Sequence, residues 1–227
     1  MTQINFQYDA MIRAFEVVSK SILVTVNMLV VSLVFGFMIG LTVAFIRIYK
    51  VRGLYPLTSI YLSAIRGVPL LIQIFIFYFG VPQIFPQTIH FLTPFMSACI
   101  AFSINSGAYM SETIRAAILS IDKGQKEAAL SVGMTEFKAM KNIVLPQAAV
   151  VAIPSLGNTI INLLKETSLA FTIGIADLLG RAKMLSASNY RYLETFVATG
   201  LIYWGITILI TYVLNKLEKR FSKIYST

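Results

Sequence analysis

Four stretches of this sequence contain no Asp, Glu, Lys or Arg: 26 residues from Ser21 to Ile46, 45 from Gly67 to Ser111, 23 from Asn142 to Leu164 and 21 from Thr195 to Asn215. Because a helix rises 1.5 Å per residue, about 20 apolar residues cross the roughly 30 Å hydrocarbon core of a bilayer. Each stretch is long enough for one crossing. The longest is interrupted by the turn-rich run at 81–88, VPQIFPQT, and holds parts of two. In lipid the backbone must satisfy its own hydrogen bonds, which selects helices. The short alternating segments of a membrane barrel are absent. The chain is 57% hydrophobic and only 13% charged, against about half and a quarter for soluble domains. Disorder is excluded by the apolar excess, and a disulfide scaffold by the single cysteine, Cys99.

The sequence therefore predicts an all-α integral membrane protein. Five transmembrane helices are expected over about 21–46, 57–80, 93–118, 147–166 and 193–215, in one domain covering 1–227. The first stretch is too long for a signal-peptide core, and the preceding residues lack a short basic start, so it is expected to be retained. Lys and Arg orient the spans. One set of flanks carries twelve: Arg47, Lys50, Arg52, Arg115, Lys123, Lys126, Lys138, Lys141, Lys216, Lys219, Arg220 and Lys223. The other carries five: Arg13, Lys20, Arg181, Lys183 and Arg191. The richer set belongs in the cytoplasm. This places the N-terminus outside, the C-terminus inside and the loop at about 119–146 in the cytoplasm. The net charge of +9 is then mostly topology. No nucleic-acid motif accompanies it, and anionic lipid headgroups suffice as its counterpart.

The cytoplasmic loop carries its own local signals. Asp122 with Gln125 resembles a capping box opening a helix over Lys123–Val132. Gly133 suits the left-handed position that ends it. Thr135 then caps a second helix, Glu136–Leu145, which Pro146 is expected to interrupt. Two short helices on a glycine turn make a compact knob. It has a small apolar surface (Ala128, Ala129, Leu130, Val132) and a charged rim (Lys123, Lys126, Glu127).

The spacing Glu127-Ala128-Ala129, three residues, Gly133, nine residues, Ile143, one residue, Leu145-Pro146 resembles the EAA loop of bacterial ATP-binding-cassette (ABC) import permeases. Three further segments resemble the polar-amino-acid branch of that family. Arg66-Gly67-Val68-Pro69-Leu70-Leu71 is similar to its RGTPLL segment, with Val68 for Thr. Gly107 to Arg115 (GAYMSETIR) is similar to GAYxAExxR, with Ser111 for Ala. Leu163 to Leu169 (LLKETSL) is similar to LLKDTSL, with Glu166 for Asp. The likeness runs from about 20 to 215.

The resemblance implies a type I ABC importer permease in the bacterial cytoplasmic membrane. Its expected partners are a second permease, identical or homologous, an ATPase dimer and an extracytoplasmic binding protein that delivers the amino acid. ATP and Mg would bind the partner ATPase, with no cofactor on this chain. Each ATPase subunit would receive one EAA knob, making Lys123, Gly124, Glu127, Ala128, Ala129, Gly133 and Met134 the expected coupling residues. An amphipathic hairpin lying on lipid is the competing reading of the same loop. A rigid knob continuous with the flanking spans is what an ATPase needs to move a pore.

Other chemistry is sparse. There is no GxxxxGK[ST], HExxH, CxxC or GxSxG, so no nucleotide site, metal site or catalytic residue is expected. His90 reads as a surface residue and Cys99 as a small core residue. Ionisable residues near the spans are functional candidates. Arg66, beside helix-breaking Gly67 and Pro69, reads either as a gate or clamp against Glu112 or as an arginine snorkelling to headgroups. Glu112 and Arg115, three apart, can pair on one helix face. Asn105, Ser106 and Tyr109 read either as substrate contacts or as polar contacts between helices. Glu166 is a candidate acceptor for a substrate ammonium, with Thr167 and Ser168 as hydrogen-bonding groups; an interfacial pair with Lys165 is the alternative. The competing functions are a stand-alone carrier or channel, disfavoured by the lack of an internal repeat, and a membrane enzyme, disfavoured by scarce acid–base groups.

Overall fold

A computed structural model describes residues 6–225, and every element in it is helical. In chain order these are α1 (Tyr8–Ser19), α2 (Ile22–Ile48), α3 (Leu54–Gly67), α4 (Leu70–Phe75), α5 (Val81–Ile84), α6 (Pro94–Leu119), α7 (Lys123–Ser131), α8 (Glu136–Ala139), α9 (Leu145–Glu166), α10 (Leu178–Asn189) and α11 (Tyr192–Tyr225). Short π segments at Ile76–Gly80 and Met140–Val144 and 3₁₀ segments at Pro86–His90 and Thr167–Ile173 join some of them. The start of the expected domain, 1–5, and the side chain of Lys223 lie outside the described residues.

Three helical stretches, Ile22–Ile48, Glu136–Ile173 and Tyr192–Phe221, are each long and apolar enough to cross a membrane. Their exposed residues are apolar where a soluble helix would be polar: Leu23, Val30 and Met38 on α2, and Trp204, Leu209 and Tyr212 on α11. The expected second span is broken. Leu54–Gly67 and Leu70–Ile84 reach the required length only together. Between them Val68 is extended (φ −102°, ψ 129°), as is Pro69 (φ −54°, ψ 137°). Proline disfavours the helical region for the residue before it, so Pro69 sets this break. The expected third span corresponds to α6, which has the length but not the hydropathy. Its Ser97, Ser103, Asn105, Ser106 and Ser111 are all buried against protein. A helix covered by other helices need not be apolar itself.

Pro146 does not interrupt the helix, contrary to expectation. The helical path continues from α8 through the π segment into α9. A proline ring clashes with the carbonyl four residues back and offers it no N–H. For Pro146 that carbonyl belongs to Asn142, inside the π segment Met140–Val144. The wider π turn accommodates the ring. The other π segment, Ile76–Gly80, stands in the same relation to Pro82, whose fourth-previous residue is Tyr78.

The chain forms two compact units, each assembled from separate segments. The first comprises the chain up to Leu33, Pro69–Phe102 and Ile161–Ile210. Its core includes Val18, Leu178, Ala182 and Ile202, joining α1, α10 and α11. Asp177 caps α10, accepting from the Leu179 and Gly180 N–H groups at 3.4 and 2.9 Å. Burial pushes its carboxyl up to about 6, against the pull of those bonds. Thr25 Oγ1 on α2 accepts from the Leu178 N–H at 3.2 Å.

The second unit comprises Val34–Val68, Ser103–Ile160 and the chain from Thr211. Val43, Leu62 and Ala108 form one core cluster, and Tyr61 donates to the Ile104 carbonyl at 2.6 Å. Here α2 and α6 meet backbone to backbone. A Cβ added to Gly107 would stand 2.8 Å from Ile39 Cγ2 and 3.1 Å from the Gly36 carbonyl oxygen. One added to Gly40 would stand 2.9 Å from Met110 Cβ. Gly36 and Gly40, four apart, form the small-residue face that lets membrane helices approach closely. Gly107→Leu is therefore expected to force the two helices apart, at a cost above the usual ~1–3 kcal/mol of overpacking. It should lower the melting temperature of the purified chain by several degrees. Gly205→Leu, where an added Cβ meets nothing within 4 Å, should leave it unchanged.

Candidate functional site

Two features of the second unit are built from the residues singled out above. The first is the knob. Asp122 Oδ1 accepts from the Gly124 N–H at 2.7 Å and so starts α7. The helix stops at Gly133, whose φ of +85° lies in the left-handed region. The Gly133 N–H returns to the Leu130 carbonyl at 3.0 Å and the Met134 N–H to that of Ala129 at 3.1 Å, closing the turn. Thr135 Oγ1 accepts from the Lys138 N–H at 3.3 Å and starts α8. Lys126 on α7 reaches Glu136 on α8 at 2.8 Å, a cross-link between the two helices.

Burial sorts the expected coupling residues. Lys123, Gly124, Glu127, Ala128 and Gly133 are exposed and Met134 is half-buried. Ala129 is buried, as is Ala139 on α8, so Ala129 packs the knob from within. Val132 and Phe137, both largely exposed, add an apolar surface. Phe137 is not among the expected coupling residues; a lone aromatic in a charged loop is the sequence signal that marks it.

The second feature is a polar cleft of about 520 Å³ lined by Arg47, Ser59, Leu62, Ser63, Arg66, Gly67, Tyr109 and Glu112. Glu112 stands between two guanidinium groups: Arg115 Nη2 at 3.2 Å and Arg47 Nε at 3.5 Å. Arg47 Nη1 also donates to Ser59 Oγ at 3.2 Å, and its guanidinium lies over the Tyr55 ring at 5.5 Å. The expected local pair of Glu112 and Arg115 is present. Of the two readings of Arg66, a gate or clamp against Glu112 and a snorkelling arginine, the clamp is not among the ion pairs of the described residues. Arg66 instead lies over the Tyr109 ring, 5.8 Å from its centroid. The carboxylate is already held by Arg47, which the sequence presented only as a charge flanking the first span.

The expected substrate contacts divide between the units. Asn105, Ser106 and Tyr109 belong to α6 in the second unit. Asn105 and Ser106 are buried, and Ser106 donates to the Ser103 carbonyl at 3.4 Å, where α2 approaches at Gly36. Tyr109 is exposed and lines the cleft. Glu166, Thr167 and Ser168 belong to the first unit. Thr167 donates to the Leu164 carbonyl and Ser168 to that of Lys165, both at 2.7 Å. Both hydroxyl hydrogens are thus committed to the preceding helical turn, leaving the oxygens as acceptors. Among the described residues no three His, Cys, Asp or Glu side chains gather as metal ligands. His90 is exposed and Cys99 is buried.

The family profile described as "Binding-protein-dependent transport system inner membrane component" matches residues 32–223. The probable amino-acid ABC transporter permease protein PatM of Vibrio harveyi is 42% identical over 97% of this chain and 98% of its own. The L-cystine transport system permease protein TcyB of Bacillus subtilis is 43% identical over 91% and 87%. The arginine transport system permease protein ArtQ of the same organism is 36% identical over 95% and 97%. Among solved structures, the crystal structure of an amino acid ABC transporter with histidines superposes with a TM-score of 0.86 at 33% identity, covering 96% of this chain and 100% of that one. An inward-facing MetNI methionine ABC transporter shares the fold, with a TM-score of 0.75 at 18% identity over 90% and 96%. The chain belongs to the family of binding-protein-dependent transport system inner membrane components, the permeases of ABC transporters.

Proposed function

We propose that this chain is the permease subunit of an ATP-driven importer of a polar amino acid in the bacterial cytoplasmic membrane. The knob formed by α7 and α8 carries this reading. It is capped at both starts, closed by a left-handed glycine and cross-linked by Lys126–Glu136. It also continues through the π segment into the apolar helix α9. A push on such a knob reaches a span without being lost in a flexible joint. A partner ATPase dimer, holding ATP and Mg, would press on the exposed Lys123, Glu127, Ala128, Val132 and Phe137.

With five spans, the N-terminus outside and the C-terminus inside, the knob and the Lys- and Arg-rich flanks would lie together in the cytoplasm. A second permease, identical or homologous, completes the pathway, and an extracytoplasmic binding protein supplies the substrate. The relatives point to amino acids as the cargo. In the cleft, Arg66 lies over the Tyr109 ring and is the candidate partner for a substrate carboxylate, with Tyr109, Ser59 and Ser63 as neutral polar contacts.

Reconstitution tests the proposal. The chain, co-expressed with its ATPase and binding protein and placed in vesicles, should take up a radiolabelled amino acid only when ATP and the binding protein are both supplied. Uptake by the chain alone without ATP, or an ATPase that fails to co-purify with it, would overturn the assignment.

A further inference from the structure

Helix α1 lies outside every motif of the family resemblance, yet its side chains fall on three distinct faces. Ala14 and Val18 are buried, Val18 in the core with Leu178, Ala182 and Ile202. Asp9, Arg13, Glu16 and Lys20 are exposed and share a second face. Tyr8, Ile12 and Phe15 occupy a third at intervals of four and three, the spacing of one helical stripe. They are 72%, 54% and 46% exposed. A helix on a soluble protein would turn polar residues outward at these positions.

Both ends of α1 are tied to the starts of membrane helices. At its C-terminal end, only Lys20 and Ser21 separate α1 from α2. At its N-terminal end, the Gln7 N–H donates to Glu194 Oε1 at 3.1 Å, and Glu194 is the third residue of α11. Arg181 Nε on α10 donates to Ser21 Oγ at 3.4 Å. The charge-free parts of the two spans begin at Ser21 and Thr195, so both anchor points sit where lipid gives way to water. A helix of 12 residues, about 18 Å long at 1.5 Å per residue, held at this level from both ends, runs along the membrane surface.

We propose that α1 is an interfacial helix whose Tyr8–Ile12–Phe15 stripe is seated in phospholipid at the boundary between headgroups and acyl chains. Tyrosine and phenylalanine are suited to that depth, where one side of the helix is wet and the other apolar. The polar face carries two acids and two bases (Asp9 and Glu16, Arg13 and Lys20), so the apolar stripe rather than headgroup charge provides the attachment. Binding should therefore be insensitive to the anionic lipid fraction. The inference needs α2 and α11 to be spans. It does not depend on the ATPase contact or on the side of the membrane that α1 occupies.

Site-directed fluorescence tests it. In a Cys99→Ala background, the full chain carrying Ile12→Cys, Phe15→Cys, Arg13→Cys or Glu16→Cys is labelled with an environment-sensitive fluorophore. Each is placed in nanodiscs of neutral phospholipid, with or without lipid bearing a nitroxide near the headgroup. Labels at 12 and 15 should emit at shorter wavelength and be quenched at least threefold more than those at 13 and 16, with no change when a third of the lipid is anionic. Equal quenching at all four positions would overturn the proposal. So would labels at 12 and 15 that escape the lipid quencher while a photoactivatable cross-linker on the same cysteines joins the chain to a second copy of it, since the stripe would then be a protein interface.

Discussion

Gly133→Pro is expected to abolish ATP-driven uptake while leaving the chain in the membrane at normal abundance. The native φ of Gly133 is +85°, and proline holds φ near −65°. The substitution also removes the N–H that bonds the Leu130 carbonyl. It further disfavours the near-helical conformation of Val132, at φ −90° and ψ 15°. All three effects fall within the turn that joins α7 to α8, and Lys126 and Glu136 lose their alignment across it. We expect coupled transport in vesicles to fall by tenfold or more, and the ATPase to be lost on purification. Gly133→Ala should be milder, since a non-glycine residue in the left-handed region costs only about 1–2 kcal/mol. An added Cβ there meets nothing within 4 Å. Normal uptake in Gly133→Pro would show that the knob does not transmit force. The surface location of the turn separates this test from a folding defect: insertion, yield and overall helicity should be unchanged.

Glu112→Gln is expected to give the largest loss of stability of any change in the polar cleft. The carboxylate is the shared counter-charge of Arg47 and Arg115, at 3.5 and 3.2 Å. The three side chains are 28%, 18% and 32% exposed. Removing one partner of a fully buried pair costs about 3–5 kcal/mol, because a charge is left without its partner. Partial exposure reduces this to about 2 kcal/mol, and at this chain length a kcal/mol moves the melting temperature by roughly 2–4 °C. A loss of roughly 4–8 °C is therefore expected for Glu112→Gln in detergent. Arg47→Met alone should cost less, because Arg115 still pairs with Glu112. Combined with Glu112→Gln, it should recover part of the loss, because one of the two stranded cations is gone. Simple addition of the two single effects would show that Arg47 and Glu112 do not interact.

Local signals in the sequence were reliable. The Asp122 and Thr135 caps, the end of α7 near Gly133 and the break beside Pro69 depend on side chains reaching backbone two or three residues away, or on steric limits within a dipeptide. Neither requires knowledge of the rest of the fold. Pro146 shows the limit of such reasoning. Its steric demand was read correctly, but the response, a widened turn rather than a stop, depended on α8 and α9 being held in one helical path.

The pairing of charges was the least legible. Arg66 and Glu112 were natural partners on paper, since both interrupt apolar stretches. The energy of an ion pair depends on a separation of a few ångströms, and for groups 46 residues apart the helix crossing sets that separation. Gly36, Gly40 and Gly107 draw α2 against α6. Arg47, further along α2, thereby reaches Glu112, while Arg66 settles on Tyr109. Charge-free length specified helices that suit a membrane, and capping residues specified a knob between two of them, because both depend on chain length and near neighbours. Which arginine holds Glu112, how Asn105 and Ser106 are buried, and where α1 turns its apolar stripe depend on helices meeting across long sequence distances. That information exists only once side chains from distant segments compete for the same few ångströms of space.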